Sequence, residues 1–209
     1  MAILENYIAD VRRVINEKSL TEDVVSDADI LLNFASTVSD DDITERLKDG
    51  VNYVLSRVQA DVIPSFIIDV FPSDLDIPYV STKKIIRFLS DTAQLSDGTV
   101  AVRRTKKTHR RLSEPITDET PVYILEDFDL KIYGDTENPV GSKIKAVKVS
   151  TSSSDIVGLG LQFKNILVNY AAASCLETAK EFGLSRILRE AVTREISKYI
   201  IPSLIPSSE

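Results

Sequence analysis

The sequence predicts an α+β protein that is mainly α, with a helical bundle, an inserted antiparallel β hairpin or small sheet, and a C-terminal extended arm. Three observations predict this class. Apolar residues recur at helical spacing near both ends of the 209-residue chain. The middle is rich in β-branched and aromatic residues between turn-forming segments. The last stretch, IIPSLIPSSE, is apolar, broken by proline and too short to pack as an element of its own.

These patterns divide the chain into four segments. We expect an N-terminal helical part over residues 1–95, a β insertion over 96–155, a C-terminal helical hairpin that completes the core over 156–201, and an extended tail over 202–209. The length suits one domain of ordinary size, or one core with an inserted subdomain.

The N-terminal part contains three predicted helices. Helical spacing of apolar residues predicts the first over residues 3–17 and the second over residues 27–38, with Ser26 as its N-cap. The third and longest is predicted from Asp41 to Ile63, and aspartates at its start lie where the helix dipole favours negative charge. Pro64 is expected to end this helix, because the residue before a proline is pushed out of the α region.

The segment after this helix is predicted to be an extended loop over residues 64–80, since its three prolines forbid a continuous helix or a central strand. Residues 81–95 are compatible with a short helix or with a strand and a turn. The stretches TVAVRRT, PVYILEDFDLKIYG and SKIKAVKVST then predict three or four antiparallel strands.

The last third is predicted to be two helices that form an αα-hairpin. The first covers FKNILVNYAAASCLETAKEF, with Gly183 as the left-handed residue after it, and Ser185 is predicted to cap the second. The small residues of AAASC indicate a buried helix that other helices approach closely. The second helix is amphipathic, with Arg189 on its predicted polar face. Its predicted apolar face consists of Ile187, Leu188, Ala191, Val192, Ile196, Tyr199 and Ile200.

Charge is segregated along the chain. The net charge is −7, yet the basic run RRTKKTHRR, residues 103–111, contains six cations. They are Arg103, Arg104, Lys106, Lys107, Arg110 and Arg111. The other 19 Lys and Arg residues stand against 32 Asp and Glu residues, which gives the rest of the chain a net charge of −13. A local patch of this kind overrides the repulsion of phosphate that an acidic protein shows on average.

The basic run has three interpretations. It is compatible with a β-strand that has one solvated face, with a patch complementary to an acidic protein partner, or with a contact to nucleic acid. The run lacks interleaved aromatic residues for base stacking, and no nucleic-acid-binding module is recognisable. Six cations are nevertheless able to contact phosphates without reading the base sequence.

No catalytic constellation is visible, so we expect a protein that is not an enzyme and that uses no cofactor or metal. His109, the only histidine, is flanked by cations that disfavour its protonated form. Cys175 is the only cysteine, which excludes a disulfide within the chain. Asp127 and Asp129 share one strand face if their segment is extended, and solvated carboxylates are the simpler interpretation. No signal peptide or membrane-spanning stretch is visible, which predicts folding in a cytosol-like setting without a membrane partner.

The block FKNILVNYAAASCLETAKEFG resembles a helix of head-to-tail connector (adaptor) proteins of tailed bacteriophages. The residues that match are Phe163, Ile166, Leu167, Ala171, Ala172, Ala173, Leu176 and Glu177, and the first seven are predicted to pack this helix into the core. ITERLKDGVNYVLSRVQADV resembles the long early helix of that family, and PVYILEDFDLKIYG and KIKAVKVST resemble its inserted strands. The resemblance covers residues 27–182, and the helix over 3–17 departs from the family pattern.

The resemblance implies a non-enzymatic structural protein of the virion neck, assembled in the host cytoplasm. Proteins of this family form a ring, commonly of twelve copies, between the portal and a tail or nozzle protein. Double-stranded DNA passes through the ring without sequence-specific contacts. The six cations are then expected to contact a neighbouring subunit or the portal first and passing DNA second. An extended C-terminal segment engages the portal, which implies that role for Ile200, Ile201, Leu204 and Ile205.

A function of a different class fits the same sequence. A helical binding module with a basic hairpin that contacts nucleic acid would act as an accessory or regulatory factor. This alternative predicts salt-dependent DNA affinity that collapses when the six cations are removed.

Overall fold

The computed structural model of the chain shows an α+β fold that is mainly α, as the sequence predicts. The structure describes residues 2–19, 38–70, 75–76, 80–81, 83–89, 92–94, 100–104, 122–133 and 144–200. Its helices are α1 (Ala2–Ser19), α2 (Asp40–Leu55), α3 (Ser154–Gly158), α4 (Lys164–Thr178) and α5 (Phe182–Ile196). Its strands are β1 (Ile67–Val70), β2 (Leu75–Asp76), β3 (Val80–Ser81), β4 (Ile85–Phe88), β5 (Thr92–Gln94), β6 (Val100–Arg104), β7 (Val122–Glu126), β8 (Asp129–Tyr133) and β9 (Ile144–Lys148). No helix in these ranges is long and apolar enough to cross a membrane.

The chain folds into two compact units, and the helical unit is formed by the two ends of the chain. It contains the residues up to Ser65 and those from Ser150 onward, whereas Phe66–Val149 form a β unit inserted between them. The insertion predicted at 96–155 therefore begins too late, because β1 already pairs with β9. The predicted helical part over 1–95 also contains strands β1 to β5. The predicted tail over 202–209 lies outside the described residues.

Helix α4 packs against three other helices of the helical unit and has little solvent-facing surface. All its residues from Ala171 to Leu176 are buried, as are Ile166, Leu167 and Val168. A helix that is apolar all round is stable only when neighbours cover it. Helices α1, α2 and α5 all pack against α4.

Helix α1 confirms the helix predicted over residues 3–17 and packs through one apolar stripe. Tyr7, Val11 and Ile15 are spaced four residues apart and are buried. Next to this stripe, Lys164 Nζ lies 2.6 Å from Asp10 Oδ2. Burial raises the pKa of Tyr7, and the charge of Lys164 opposes that rise. The ion pair joins α1 to the first turn of α4.

Helix α2 begins where the sequence predicts but ends earlier. Ser39 Oγ accepts a hydrogen bond from the Asp42 backbone N–H at 3.0 Å, which caps the first turn. The helix ends at Leu55 and not at Ile63, because the chain turns there and Val58 forms a β-bridge with Ile200. The helix predicted over 27–38 lies outside the described residues except for residue 38.

Gly50 sets how closely α2 approaches α4. A Cβ atom at this position would lie 3.3 Å from Tyr170 Cδ1 and 3.4 Å from Leu167 Cδ2. The first separation is tighter than ordinary van der Waals contact, and the second lies at the edge of the ordinary range. Glycine therefore lets the two helices pack more closely than a larger residue would allow.

Helices α4 and α5 form the predicted αα-hairpin, but different residues make its turn. Lys180, with φ of 66°, is the left-handed residue after α4. The Glu181 N–H donates to Leu176 O at 2.9 Å, and the Lys180 N–H donates to Glu177 O at 3.1 Å. This pair of bonds is a Schellman motif, which satisfies carbonyl groups that the end of a helix leaves without partners.

The start of α5 and part of its apolar face also differ from the prediction. The helix begins at Phe182, so Gly183 and Ser185 both lie inside it and neither ends nor caps a helix. Ile187 was predicted on the apolar face, but 48% of its surface is exposed. The predicted residues that are buried are Leu188, Val192 and Ile196.

The β unit contains two sheets that share one core. One has the strand order β1-β9-β4 and is antiparallel, and the other has the order β2-β3-β8-β7-β6-β5, in which only β6 and β7 are parallel. The segment predicted to be a loop over 64–80 contains β1 and β2. Its prolines do not prevent these strands, because they lie outside them. In the range 81–95, the described residues adopt the strand alternative, as β4 and β5. The shared core consists of Val70, Ile85, Phe88, Leu130, Ile144 and Ala146.

We predict that Gly50→Leu destabilises the protein. Overpacking a filled position typically costs about 1–3 kcal/mol, which exceeds the gain of about 0.8 kcal/mol from replacing a helical glycine. The matched control is Gly183→Leu, since a Cβ at Gly183 meets nothing within 4 Å. Thermal and urea unfolding should show a lower stability for Gly50→Leu and an unchanged or higher stability for Gly183→Leu. Equal effects of the two substitutions would contradict this account of the α2–α4 contact.

Candidate interaction surfaces

The seven residues predicted to pack α4 into the core are all buried. They are Phe163, Ile166, Leu167, Ala171, Ala172, Ala173 and Leu176. Buried side chains of this kind hold the helices together and are not available to a partner. Among the described residues, surfaces that a partner can reach include the polar edge of the helical hairpin, the residues around Tyr199 and Ile200, and parts of the β unit.

A polar network joins α4 to α5 through Arg189. Its Nε lies 3.1 Å from Glu177 Oε1 and its Nη2 lies 3.1 Å from Glu177 Oε2, which makes a bidentate pair. The same Nη2 donates to Ser174 Oγ at 2.9 Å, and Ser185 Oγ donates to Glu177 Oε1 at 2.8 Å. Helical periodicity predicted Arg189 on the solvent face, but its long side chain reaches back across the hairpin.

The hydrogen bonds from Arg189 lower the pKa of Glu177, although burial alone would raise it. The hydrogen bond from Ser185 lowers this pKa further. Glu177 therefore remains ionised to lower pH in the folded protein than in the unfolded chain.

Two tyrosines and two arginines form a stack across α2, α4 and α5. The ring centroids of Tyr53 and Tyr170 are 5.0 Å apart. The Arg57 guanidinium lies 3.9 Å from the Tyr53 centroid, and that of Arg189 lies 4.2 Å from the Tyr170 centroid. Cation–π contacts at this distance stabilise a fold by about 0.5–2 kcal/mol. Because each ring already faces an arginine, we interpret the stack as a clamp on the three helices.

The last residues that the structure describes are tied to the segment that follows α2. The Gln59 backbone N–H donates to Tyr199 O at 3.0 Å, next to the bridge between Val58 and Ile200. The Tyr199 ring also lies 5.0 Å from the Phe163 ring. Ile200, the first residue of the predicted portal-docking segment, is thus half-buried in the helical unit. The other residues of that segment, Ile201, Leu204 and Ile205, lie outside the described residues.

The basic run begins inside the six-stranded sheet. Arg103 pairs with Tyr123 and Arg104 pairs with Ile124 where β6 runs parallel to β7. The first two residues of the run are therefore in a strand. The rest of the run lies outside the described residues, including Lys106, Lys107, His109, Arg110 and Arg111.

The tip of the β7–β8 hairpin is a feature that the sequence did not reveal. Glu126 pairs with Asp129, so Asp127 and Phe128 alone form the turn. Their φ angles are 52° and 68°, and positive φ at both central residues is characteristic of a type I′ turn. Asp127 and Asp129 were expected to share a strand face if their segment is extended, and this condition is not met because Asp127 lies in the turn. A left-handed conformation costs about 1–2 kcal/mol for a residue with a side chain and is rare for a bulky one.

Contacts from the start of β4 hold this hairpin tip in place. The Ile85 backbone N–H donates to Phe128 O at 2.7 Å. Lys84 Nζ lies 2.8 Å from both carboxylate oxygens of Asp129. The Phe128 side chain itself is 55% exposed. The strained turn therefore presents an aromatic ring to the surroundings from a braced backbone.

Two kinds of reactive site can be checked among the described side chains: a nucleophilic cysteine and a metal site. Burial raises the pKa of Cys175 to about 11, so its thiolate is scarce at neutral pH. In the part of the chain that the structure describes, no three His, Cys, Asp or Glu residues gather as a metal site would require.

No protein-family model matches the sequence, and no curated protein is similar to it.

We predict that Arg189→Ala lowers the stability by about 1–2 kcal/mol, because it removes a cation–π contact and a partly exposed ion pair. Arg186→Ala is the matched control, since the Arg186 side chain is 81% exposed in its pair with Glu190. Its effect should stay within about 0.5 kcal/mol. Urea unfolding of both variants tests this, and similar losses would show that Arg189 is an ordinary surface residue.

We also predict that Glu177→Gln makes stability less dependent on acid. The folded-state pKa of Glu177 is depressed, so its contribution is present above the unfolded-state pKa and is lost as pH falls through the folded-state pKa. Between about pH 7 and pH 3, the parent protein should therefore lose more stability than the Gln variant. Urea unfolding midpoints across this range provide the measurement, and parallel pH profiles would contradict the prediction.

Proposed function

We propose that the protein is a structural head-to-tail adaptor of a tailed bacteriophage. In this role it forms a ring between the portal and a tail or nozzle protein, in the neck of the virion, after assembly in the host cytoplasm. The ring has no enzymatic activity and surrounds a channel for double-stranded DNA. Twelve copies is the number that the resemblance implies.

The observation that carries this proposal is the order of the two units. Both ends of the chain build one helical unit, and the β unit is inserted between them. An early helix, inserted strands and a buried alanine-rich helix follow one another in the order that the resemblance implies, although the early helix ends at Leu55 and is shorter than the resemblance implies. This order supports the proposal more strongly than any single side chain does.

The position of the chain end supports an arm that docks on the portal. The β-bridge from Val58 to Ile200 ties the last described residue to the helical unit. Ile201, Leu204 and Ile205, which follow that anchored point, carry apolar side chains. In the proposed ring these residues engage the portal, and burial of their side chains contributes to the affinity.

Charge supports a ring through which DNA slides. The chain outside the basic run has a net charge of −13, and a wall of like charge repels DNA and lets it pass without sticking. The six cations of the run are attracted to the acidic remainder of a neighbouring copy. In the proposed ring they therefore contact a subunit or the portal first, and passing DNA second.

The experiment is electron microscopy and native mass spectrometry of the purified protein, alone and mixed with a portal protein encoded beside it. The proposal expects closed rings with the portal present, including when the protein alone is monomeric. A monomer that binds no virion component would contradict it.

We predict that replacing the six cations of the basic run by Ala weakens ring assembly more than it weakens DNA affinity. A control with Lys145, Arg194 and Lys198 replaced by Ala removes dispersed exposed cations and should leave assembly nearly unchanged. Ring yield and salt-dependent DNA binding are measured on the same samples. The opposite ranking would favour the alternative, an accessory module that binds nucleic acid.

A further inference from the structure

The tip of the β7–β8 hairpin combines an exposed aromatic ring with an exposed carboxylate. Glu126 and Asp129 are each bound to a lysine, whereas Asp127 is exposed and forms no ion pair with any described residue. A phenylalanine held at positive φ persists only where the surrounding structure over-determines it, and such residues cluster at functional positions. The negative charge beside the ring disfavours nucleic acid and anionic membranes, so a protein partner fits best.

The first turns of α5 present a surface with complementary chemistry. Phe182 and Ile187 have 65% and 48% of their surface exposed. Gly183 precedes Ile187 by four residues and Arg186 follows Phe182 by four, so the members of each pair are neighbours on the helix surface, and a Cβ at Gly183 would meet nothing within 4 Å. We call Phe182, Gly183, Arg186 and Ile187 the α5 notch: two exposed apolar side chains, a position without a side chain and a cation.

We infer that the hairpin tip of one copy of this chain docks in the α5 notch of a second copy. The Phe128 ring lies over Gly183, against the apolar side chains of Phe182 and Ile187. The Asp127 carboxylate pairs with Arg186, whose exposed pair with Glu190 is weak and easily exchanged. The hairpin tip thus offers an apolar ring and a carboxylate, and the α5 notch offers apolar side chains and a cation.

This contact is heterologous, because the tip and the notch are different surfaces. Each copy offers both of them, so contacts of this kind continue from copy to copy and close into a ring when the rotation permits. The inference supplies a subunit contact for the proposed adaptor and in that sense rests on the proposed function.

Phe128→Gly is the first test, because it separates docking from folding. Glycine adopts positive φ without strain, so the variant should unfold at the same temperature as the parent protein or higher. Loss of the ring should weaken self-association at least about tenfold, as for other buried aromatic anchors. The matched control is Leu161→Ala, which removes an apolar side chain that is 77% exposed and lies outside the tip and the notch. Sedimentation velocity over the widest soluble concentration range measures both.

A charge exchange then identifies the two surfaces. Asp127→Arg alone and Arg186→Asp alone should each weaken self-association, because like charges then meet. An equal mixture of the two variants should associate as the parent does, since each tip again meets a notch of opposite charge. A mixture that stays monomeric would overturn the inference, as would a parent protein that is monomeric at every concentration or a Phe128→Gly variant that associates normally.

Failure of the contact between hairpin tip and α5 notch can be told apart from failure of the adaptor role. Rings that form with the portal and are insensitive to Phe128→Gly and to the charge exchange would exclude this contact and leave the adaptor role intact. Absence of any ring with the portal, together with rescue by the mixed variants, would support the contact and contradict the adaptor role.

Discussion

Burial of α4 is the constraint on which the helical unit depends. A helix without a polar face is unstable in water unless other helices cover it, and α1, α2 and α5 do so here. The small side chains from Ala171 to Ser174 leave room for this packing, and the missing Cβ of Gly50 lets α2 approach Tyr170 and Leu167. Polar contacts at the rim, from Lys164 to Asp10 and from Arg189 to Glu177, then fix how the covering helices lie.

The insertion of the β unit is compatible with this core because the chain leaves and returns at neighbouring points. β1 pairs antiparallel with β9, with Ile67 opposite Val147, so the two connections to the helical unit lie about one strand spacing of 4.8 Å apart. The insertion therefore spans only a short distance between the two chain segments that form the helical unit, as a short loop would. The β unit has its own apolar core and carries the strained hairpin tip.

Local patterns predicted the elements whose side chains repeat with a regular period. Apolar spacing of this kind predicted α1 and α5, whereas α4 was predicted from its small and apolar residues and the start of α2 from its aspartates. Elements that depend on distant partners were missed: the end of α2 is set by the bridge from Val58 to Ile200, and β1 is set by its pairing with β9. Prolines at 64, 72 and 78 suggested a loop, but they leave room for strands between them.

Some features of the candidate surfaces were likewise predicted from local sequence patterns, and others were not. Burial of the α4 residues followed from their small and apolar side chains, and the strand at Arg103 and Arg104 followed from the β-branched residues before them. The hairpin tip did not, because Asp127 and Phe128 lack the glycine that announces a tight turn. The role of Lys180 in place of Gly183 was missed for a similar reason: the position of the turn, and not residue preference, decides which residue adopts positive φ.

The central claim is that the two ends of the chain form one helical unit around α4 and that the β unit is inserted into it. It is tested most directly by replacing residues 66–149 with a short Gly/Ser linker and following unfolding by far-ultraviolet circular dichroism. We expect a helical protein that unfolds in one cooperative transition, because the paired ends of the insertion need only a short connection. A linker variant without cooperative unfolding would contradict it.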